Sequence, residues 1–201
     1  MALATAANVR DYIRALTGTG EDTLLSTLIA RFDDVASAYC GFPVNGNQST
    51  FENNTYTHYF DGDGTDRLYL RVAPVNTITT LHVDVNRAYG SSTLVASSDY
   101  TIDTPAGLLI LETDSAQGSF STGYRSVKVV YTAGYTSIPD GLVHACGIQV
   151  NHWYMNRDTI GKTNINQNQS TIAVRSLELL PSVRQALAPY RIGGNAGGWL
   201  G

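Results

Sequence analysis

Apolar residues recur at three- and four-residue steps in two stretches near the start of the chain. The first stripe spans residues 9–16, with Thr5 placed to cap a helix there. The second lies within residues 21–40, where Thr19 is placed to cap the helix and Gly41 to end it. The pattern predicts two amphipathic helices within residues 1–43, too few to bury their own apolar faces on each other alone.

A third stretch, from Pro139 to residue 155, is apolar on more than one face. Its main stripe repeats at helical steps and includes Leu142, Cys146, Val150 and Trp153, with Ala145 and Gln149 between them. Further apolar residues, Ile148 and Met155 among them, lie outside that stripe. A helix that is apolar on several faces must be covered on several sides. We therefore expect it to complete the bundle, with the stripe in the bundle core or at an interface with a neighbouring subunit.

The segment between these helices is rich in Tyr, Thr and Val and is divided by Gly, Asn, Ser and Asp. Alternating patterns predict short strands at residues 55–60, 67–72, 77–85, 93–95, 99–102, 108–112 and 125–131. The connections are too short for crossover helices, so the strands should be antiparallel. We predict an α+β fold in which residues 44–132 form an antiparallel β-sandwich or small barrel inserted into a helical bundle.

Residues 133–192 should supply the remaining helices, including a short one opened by Pro181, around an Asn/Gln-rich loop or mobile hairpin at 158–176. Residues 193–201 form a glycine-rich, flexible tail that ends with Trp199 and Leu200. Its glycines make it costly to order alone, because each has much backbone freedom to lose. We expect Tyr190, Arg191, Trp199 and Leu200 to bind a partner, the alternative being that Trp199 folds back on its own domain.

Charge adds little to this picture. The chain has 201 residues and a net charge of −4. Acidic residues outnumber basic ones in residues 42–140, whereas the reverse holds in 141–201, so no basic footprint for specific nucleic-acid binding emerges. No signal peptide is recognisable, and no run approaches the ~18 apolar residues of a membrane span. Cys40 and Cys146 are expected as buried thiols, although a disulfide is possible.

Candidate chemistry is sparse. The acidic stretch at residues 61–66 has Asp66 where a calcium loop needs its glycine and Val72 where it needs its glutamate, and its Asp-Gly pairs predict a hairpin turn instead. His144 and His152 are eight residues apart and lack the pairing of a zinc helix. No catalytic residue, metal ligand or cofactor motif can be nominated, so we predict a protein that is not an enzyme. Twelve tyrosines leave a carbohydrate- or ligand-binding β module of a phage tail or cell surface as the alternative.

The order of motifs resembles the head–tail connector (adaptor) proteins of tailed bacteriophages, in the larger variety with a β-rich insert. The helical start at 9–16 and 21–40 is followed by Tyr-Phe-Asp-Gly-Asp-Gly at 59–64 and Leu-Tyr-Leu at 68–70 with Pro-Val at 74–75. Val-Tyr-Thr-Ala-Gly-Tyr at 130–135 then precedes Ile-Pro at 138–139, which opens a helix ending near Tyr154 and Arg157. The resemblance extends over residues 5–190.

This resemblance implies a structural adaptor in the virion neck, made in the host bacterial cytoplasm. Its partners would be a portal protein, a tail-completion or tail-terminator protein, and copies of itself in a twelve-fold ring. DNA would pass through that ring during ejection without specific binding. The resemblance implies no cofactor, no metal and no membrane partner.

Overall fold

The computed structural model describes residues 3–13, 16, 18–44, 49–114, 116–157, 164–167, 170–173 and 179–192. It combines helices with antiparallel sheets, so the α+β class is confirmed. The chain divides into two units: a helical unit built from Met1–Phe51 and Ile138–Asn195, and a β unit built from Glu52–Ser137. The chain therefore leaves the helical unit once and returns to it once.

The described residues of the helical unit form four α-helices. They are α1 (Ala6–Arg10), α2 (Asp22–Tyr39), α3 (Asp140–Met155) and α4 (Pro181–Leu187), the last continued by a 3-10 turn at Ala188–Tyr190. Helix α3 contacts each of the other three, and α1 also contacts α2. Helix α3 therefore packs against both of the first two helices, while a bundle in the full sense stays a prediction.

Helix α1 starts as predicted but ends early. Thr5 caps it: its hydroxyl accepts the N–H of Asn8 (3.2 Å), and the Asn8 side chain accepts the N–H of Thr5 (3.0 Å). The helix stops at Arg10, and only single turns continue to Ile13. The predicted cap of α2 by Thr19 is wrong, since Glu21 is the N-cap residue and no described side chain makes a capping hydrogen bond there. Arg10 instead forms an ion pair with Asp22 in the first turn of α2, at 2.6 Å.

Helix α2 ends where the sequence predicts. Gly41 has a φ of +88°, a conformation that glycine adopts without strain, and the N–H of Phe42 reaches back to the carbonyl of Ser37 at 3.0 Å. Inside the helix, the carboxylate of Asp33 is buried and accepts the hydroxyl of Thr50 at 2.8 Å. This hydrogen bond holds Thr50, which lies where the chain leaves the helical unit, against α2.

Helix α4 is attached to α3 through a buried amide. Gln149 is fully buried, and its side-chain oxygen accepts the N–H of Leu180, just before α4, at 2.9 Å. Val183 and Leu187 of α4 are fully buried beside it. A buried amide is stable only when its polar atoms are paired, so this contact fixes the start of α4.

Six strands form the β unit: β1 (Asn54–Gly62), β2 (Arg67–Tyr69), β3 (Val75–Val83), β4 (Tyr100–Asp103), β5 (Leu108–Leu111) and β6 (Gly123–Ala133). They make two three-stranded antiparallel sheets, ordered β1-β6-β3 and β2-β5-β4. Alternate residues of β6 are fully buried, as the pattern of Val127, Val129 and Tyr131 predicts. The opposite face of the first sheet is therefore left accessible.

Two sequence predictions for this unit are wrong. Residues 61–66 form a turn but not a hairpin, because β1 pairs with β6 while β2 pairs with β5. The turn thus joins the two sheets. Residues 93–95 are not a strand: Ser91–Thr93 form a 3-10 turn, and only Leu94 makes an isolated bridge to His82.

Within the Asn/Gln-rich segment, β7 (Asn164–Gln167) pairs antiparallel with β8 (Ser170–Ala173). The glycine-rich tail at 193–201 lies outside the described residues. Among the helices that the structure describes, none has both the length and the apolar character needed to cross a bilayer.

Candidate interaction surfaces

The apolar stripe of α3 lies in the core of the helical unit. Leu142, Cys146 and Val150 are fully buried, and Trp153 is 2% exposed. The guanidinium of Arg31 lies 5.2 Å from the centre of the Trp153 ring. The residues are thus covered by their own chain, and their presence at an interface between subunits stays a prediction.

The two described members of the predicted partner-binding set lie beyond α4. Arg191 places its guanidinium 5.4 Å from the ring of Tyr39, at the end of α2. The N–H of Ile192 then donates to the carbonyl of Cys40 at 2.7 Å. The hydroxyl of Tyr190 approaches Gly141 so closely that a Cβ there would lie 2.5 Å away. The other two members, Trp199 and Leu200, lie outside the described residues.

A loop in the β unit is shaped by the carboxylate of Asp84. That carboxylate accepts the backbone N–H groups of Asn86 (2.8 Å), Ala88 (2.9 Å) and Tyr89 (2.8 Å). These hydrogen bonds, the one from Tyr89 foremost, outweigh desolvation and lower the pKa of the Asp84 carboxyl. The loop turns sharply: φ is +62° at Arg87 and +49° at Tyr89. Such angles are costly outside glycine and persist only where surrounding contacts impose them.

This loop brings together residues that are far apart in the sequence. We call the resulting group the cationic tyrosine cluster, made of Tyr59, Tyr89, Tyr124, Arg87, Arg125 and Lys128. Tyr59 lies directly opposite Lys128 on the accessible face of the first sheet. The ring of Tyr89 lies 5.5 Å from that of Tyr59. Arg125 and Lys128 place their charged groups 4.4 Å and 5.5 Å from the rings of Tyr59 and Tyr89, respectively.

The cluster is held together by its backbone as well as by its rings. The hydroxyl of Tyr89 donates to the carbonyl of Arg125, whose φ is +51°. The N–H of Arg125 in turn donates to the carboxylate of Asp61 at 2.7 Å. Five of the six cluster residues surround a hollow of about 400 Å³. The arrangement places aromatic faces and positive charge around this hollow.

A larger open groove of about 990 Å³ lies beside the cluster and shares Tyr59, Tyr124 and Arg125 with it. His58 in this groove bonds the hydroxyl of Tyr131 at 2.9 Å. Burial, with a smaller effect of Arg71, lowers the pKa of His58 and favours its neutral form. Under the alternative function, a carbohydrate- or ligand-binding β module, this groove would be the place where the ligand binds.

Comparison with known proteins decides the family. The sequence matches the head completion protein family over residues 2–192. The chain belongs to that family. Because the match covers almost the whole chain, both units of this head completion protein are part of the family's architecture. A search of curated proteins found no match.

Two solved structures share the fold of this head completion protein. One is a chain in the neck of an empty GTA particle, computed with C6 symmetry, with a TM-score of 0.56 and 19% identity over 92% of this chain and 88% of that one. The other, from the neck of a native GTA particle computed with C12 symmetry, has a TM-score of 0.54 and 18% identity over 92% and 87%. The resemblance to head–tail connector proteins is thereby confirmed.

The structure also locates the motifs that carried no assigned role. His144 bonds the hydroxyl of Tyr12 at 2.9 Å, and His152 interacts with Asn156 one turn later. The described residues contain no group of three or more His, Cys, Asp or Glu placed to hold a metal ion. Cys40 and Cys146 are both buried free thiols. Burial raises the pKa of each of these thiols to about 12.

The cationic tyrosine cluster of this head completion protein could not be predicted from the sequence. Its members come from β1, from the Asp84 loop and from the start of β6, so no local pattern joins them. The available signal was weak: the segment between Arg87 and Arg125 has no lysine or arginine, and a tyrosine adjoins or nearly adjoins each of these two arginines. Only the pairing of β1 with β6 brings Tyr59 to the same place.

Proposed function

We propose that this head completion protein is a structural adaptor that forms a ring between portal and tail and extends the channel through which DNA leaves the capsid. The family match over residues 2–192 carries this proposal. The shared fold with a chain from a neck computed with C12 symmetry supports a ring of twelve copies. The protein would act in the virion neck after synthesis in the host cytoplasm.

We infer that residues 191–201 dock on the portal or on a neighbouring subunit. The last described contact of the chain, from Ile192 to Cys40, ties the start of this segment to the end of α2. Beyond it, the glycines at 193, 194, 197 and 198 separate that anchor from Trp199 and Leu200. A buried tryptophan is a common interface anchor, and its truncation often costs ~2 kcal/mol or more of binding.

Deleting residues 193–201 tests this inference, since the deletion leaves every described contact in place. We expect an unchanged melting temperature and reduced incorporation onto portal-bearing heads. Trp199→Ala serves as the matched point variant and should reproduce most of the loss. A lower melting temperature with portal attachment intact would show that the tail belongs to the fold and would contradict the docking role.

DNA would pass through the proposed ring without being bound specifically, since tight contacts would impede its passage. The acidic excess in residues 42–140 supports this expectation. Binding to duplex DNA should be weak, independent of sequence and lost as salt increases. Specific binding that persists at physiological salt in a gel-shift assay would contradict it.

The proposed function as a whole is tested on heads that carry a portal but lack this protein. The purified chain is added, unbound protein is removed by sedimentation, and the portal vertex is imaged by electron cryomicroscopy. We expect a ring of added density, coaxial with the portal, and restored attachment of tails. If the chain stays in the supernatant and the portal vertex is unchanged, the proposal fails.

A further inference from the structure

In one segment of the β unit, all of the charged residues are acidic. Arg87, Arg125 and Lys128 belong to the cationic tyrosine cluster. Between Arg87 and Arg125 the chain carries no lysine or arginine but has four acidic residues, which are Asp99, Asp103, Glu112 and Asp114. The cluster and this acidic segment therefore give one molecule two surfaces of opposite sign.

The acidic residues follow the outer edge of the second sheet. Strand β4 is the last strand in the order β2-β5-β4, so one of its sides has no partner among the described strands. Asp103 is exposed on β4, and Asp99 directly precedes that strand. The N–H of Glu112 donates to the carbonyl of Asp99 at 2.9 Å, which places both acids at the same end of the sheet. We call this surface, made of Asp99, Asp103 and Glu112, the acidic edge.

The cations of the cluster are not neutralised within the described part of the chain. No carboxylate there lies within 4.0 Å of the charged groups of Arg87, Arg125 or Lys128. Two acids beside the cluster accept hydrogen bonds from backbone groups instead. Asp84 accepts N–H groups of its own loop, and Asp61 accepts the N–H of Arg125. The carboxylates thus shape the backbone and leave the positive charges available.

The cluster is also preorganised. Tyrosine rings support Arg125 and Lys128, and the left-handed conformations of Arg87, Tyr89 and Arg125 are fixed by hydrogen bonds. Tyrosine and arginine are enriched among the residues that dominate protein–protein binding energies. A surface that is ordered before binding loses less entropy on association.

A closed ring of more than two identical subunits needs two different complementary surfaces on each copy. We propose that the cationic tyrosine cluster of one copy binds the acidic edge of a second copy of this chain. This inference rests on the ring of the proposed function and names the contact that closes it. Opposite potentials at the two surfaces would also set the direction in which copies add.

The test uses reciprocal charge reversal in the full chain. One variant carries Arg87→Glu and Arg125→Glu, so that both of its surfaces are negative. The other carries Asp103→Lys and Glu112→Lys, so that its cluster and the former acidic edge both carry net positive charge. All four positions are exposed, and melting temperature verifies folding. Self-association is measured by sedimentation velocity and native mass spectrometry at low and physiological salt, and as ring density on portal-bearing heads.

We expect each variant alone to self-associate at least ~10-fold more weakly than the wild type, because like charges then meet. An equimolar mixture should recover association, since every contact between unlike variants pairs opposite signs. A chain carrying all four substitutions should recover it as well, and its net charge equals that of the wild type. Recovery in the mixture also excludes misfolding as the cause of the loss.

Wild-type assembly that neither reversal weakens would overturn this inference and leave the proposed function standing. Loss of assembly without recovery in the mixture would also overturn it. If the wild type binds a 30-base-pair duplex and Arg87→Glu with Arg125→Glu abolishes that binding but not self-association, the cluster serves phosphate instead. A wild type that neither self-associates nor adds to portals would refute both proposals together.

Discussion

Replacing Gly147 by alanine tests how tightly α3 is packed. Gly147 is buried in the middle of the helix, where alanine is favoured over glycine by ~1 kcal/mol. The added Cβ, however, would lie 2.6 Å from both Cδ2 and Cε2 of Tyr12 and 2.8 Å from its Cζ. Carbon atoms normally pack at ~3.5–4.0 Å. Helix propensity and packing therefore predict opposite signs for this substitution.

Packing should dominate because the Tyr12 ring is not free to move away. Its hydroxyl is bonded to His144 at 2.9 Å, and the two rings are 5.6 Å apart. Overpacking a close-fitting core costs ~1–3 kcal/mol, and a restrained ring places this case in the upper part of that range. After subtraction of the propensity gain, Gly147→Ala should destabilise the helical unit by ~1–2 kcal/mol.

The assay is guanidinium unfolding of four proteins: the wild type, Gly147→Ala, Tyr12→Ala, and the double variant. With the ring removed, Gly147→Ala should become neutral or stabilising by up to ~1 kcal/mol, so the two sites should show a coupling of ~2 kcal/mol. Gly141→Ala is a useful comparison, since its Cβ would meet only the hydroxyl end of Tyr190. Equal effects of Gly147→Ala in both backgrounds would refute the reasoning.

Three further outcomes are expected. Trp153→Ala should destabilise by ~3–5 kcal/mol, while Met155→Ala, 61% exposed on the same helix, should change stability by less than ~0.5 kcal/mol in the same unfolding assay. The raised pKa of Cys40 and Cys146 predicts that neither thiol reacts with a disulfide reagent at pH 8 until the protein unfolds, and rapid labelling of the native protein would contradict this. The lowered pKa of Asp84 predicts that its contribution to stability is fully present above pH ~3.8 and is lost as pH falls through the lower pKa of the folded state, so the destabilisation by Asp84→Asn should be largest at pH 7 and should shrink as pH is lowered below ~3.8.

Local patterns predicted the helices well. The three- and four-residue steps within 21–40 and 139–155 correspond to α2 and α3, and the alternation of β6 identifies its buried face. These features depend on neighbours a few residues away, which a single sequence contains. The cap by Thr5 and the left-handed Gly41 belong to the same class.

Strand pairing could not be derived in this way. The Asp-Gly pairs at residues 61–64 mark a turn, but they do not specify that β1 pairs with a strand more than sixty residues later. Thr19 is a suitable cap by type, yet its side chain does not cap α2, and the ion pair between Arg10 and Asp22 at the start of that helix joins residues twelve apart in the sequence. The cationic tyrosine cluster could not be predicted either, because its residues meet only when β1 pairs with β6.

The place where the chain enters and leaves the β unit has a consequence for folding. Asn54 pairs with Ala133, and the N–H of Asn53 donates to the carbonyl of Tyr135 at 3.1 Å, so the first and last strands lie side by side. For the helical unit, residues 52–137 are thus a long loop whose ends are already tied about 5 Å apart. Closing an open loop of that length costs entropy. Here the pairing of β1 with β6 offsets that entropy when the β unit folds. Residues can therefore be added to or removed from the interior of the β unit without changing the separation between the two ends of residues 52–137. The helical unit can thus stay constant while the β unit varies in size.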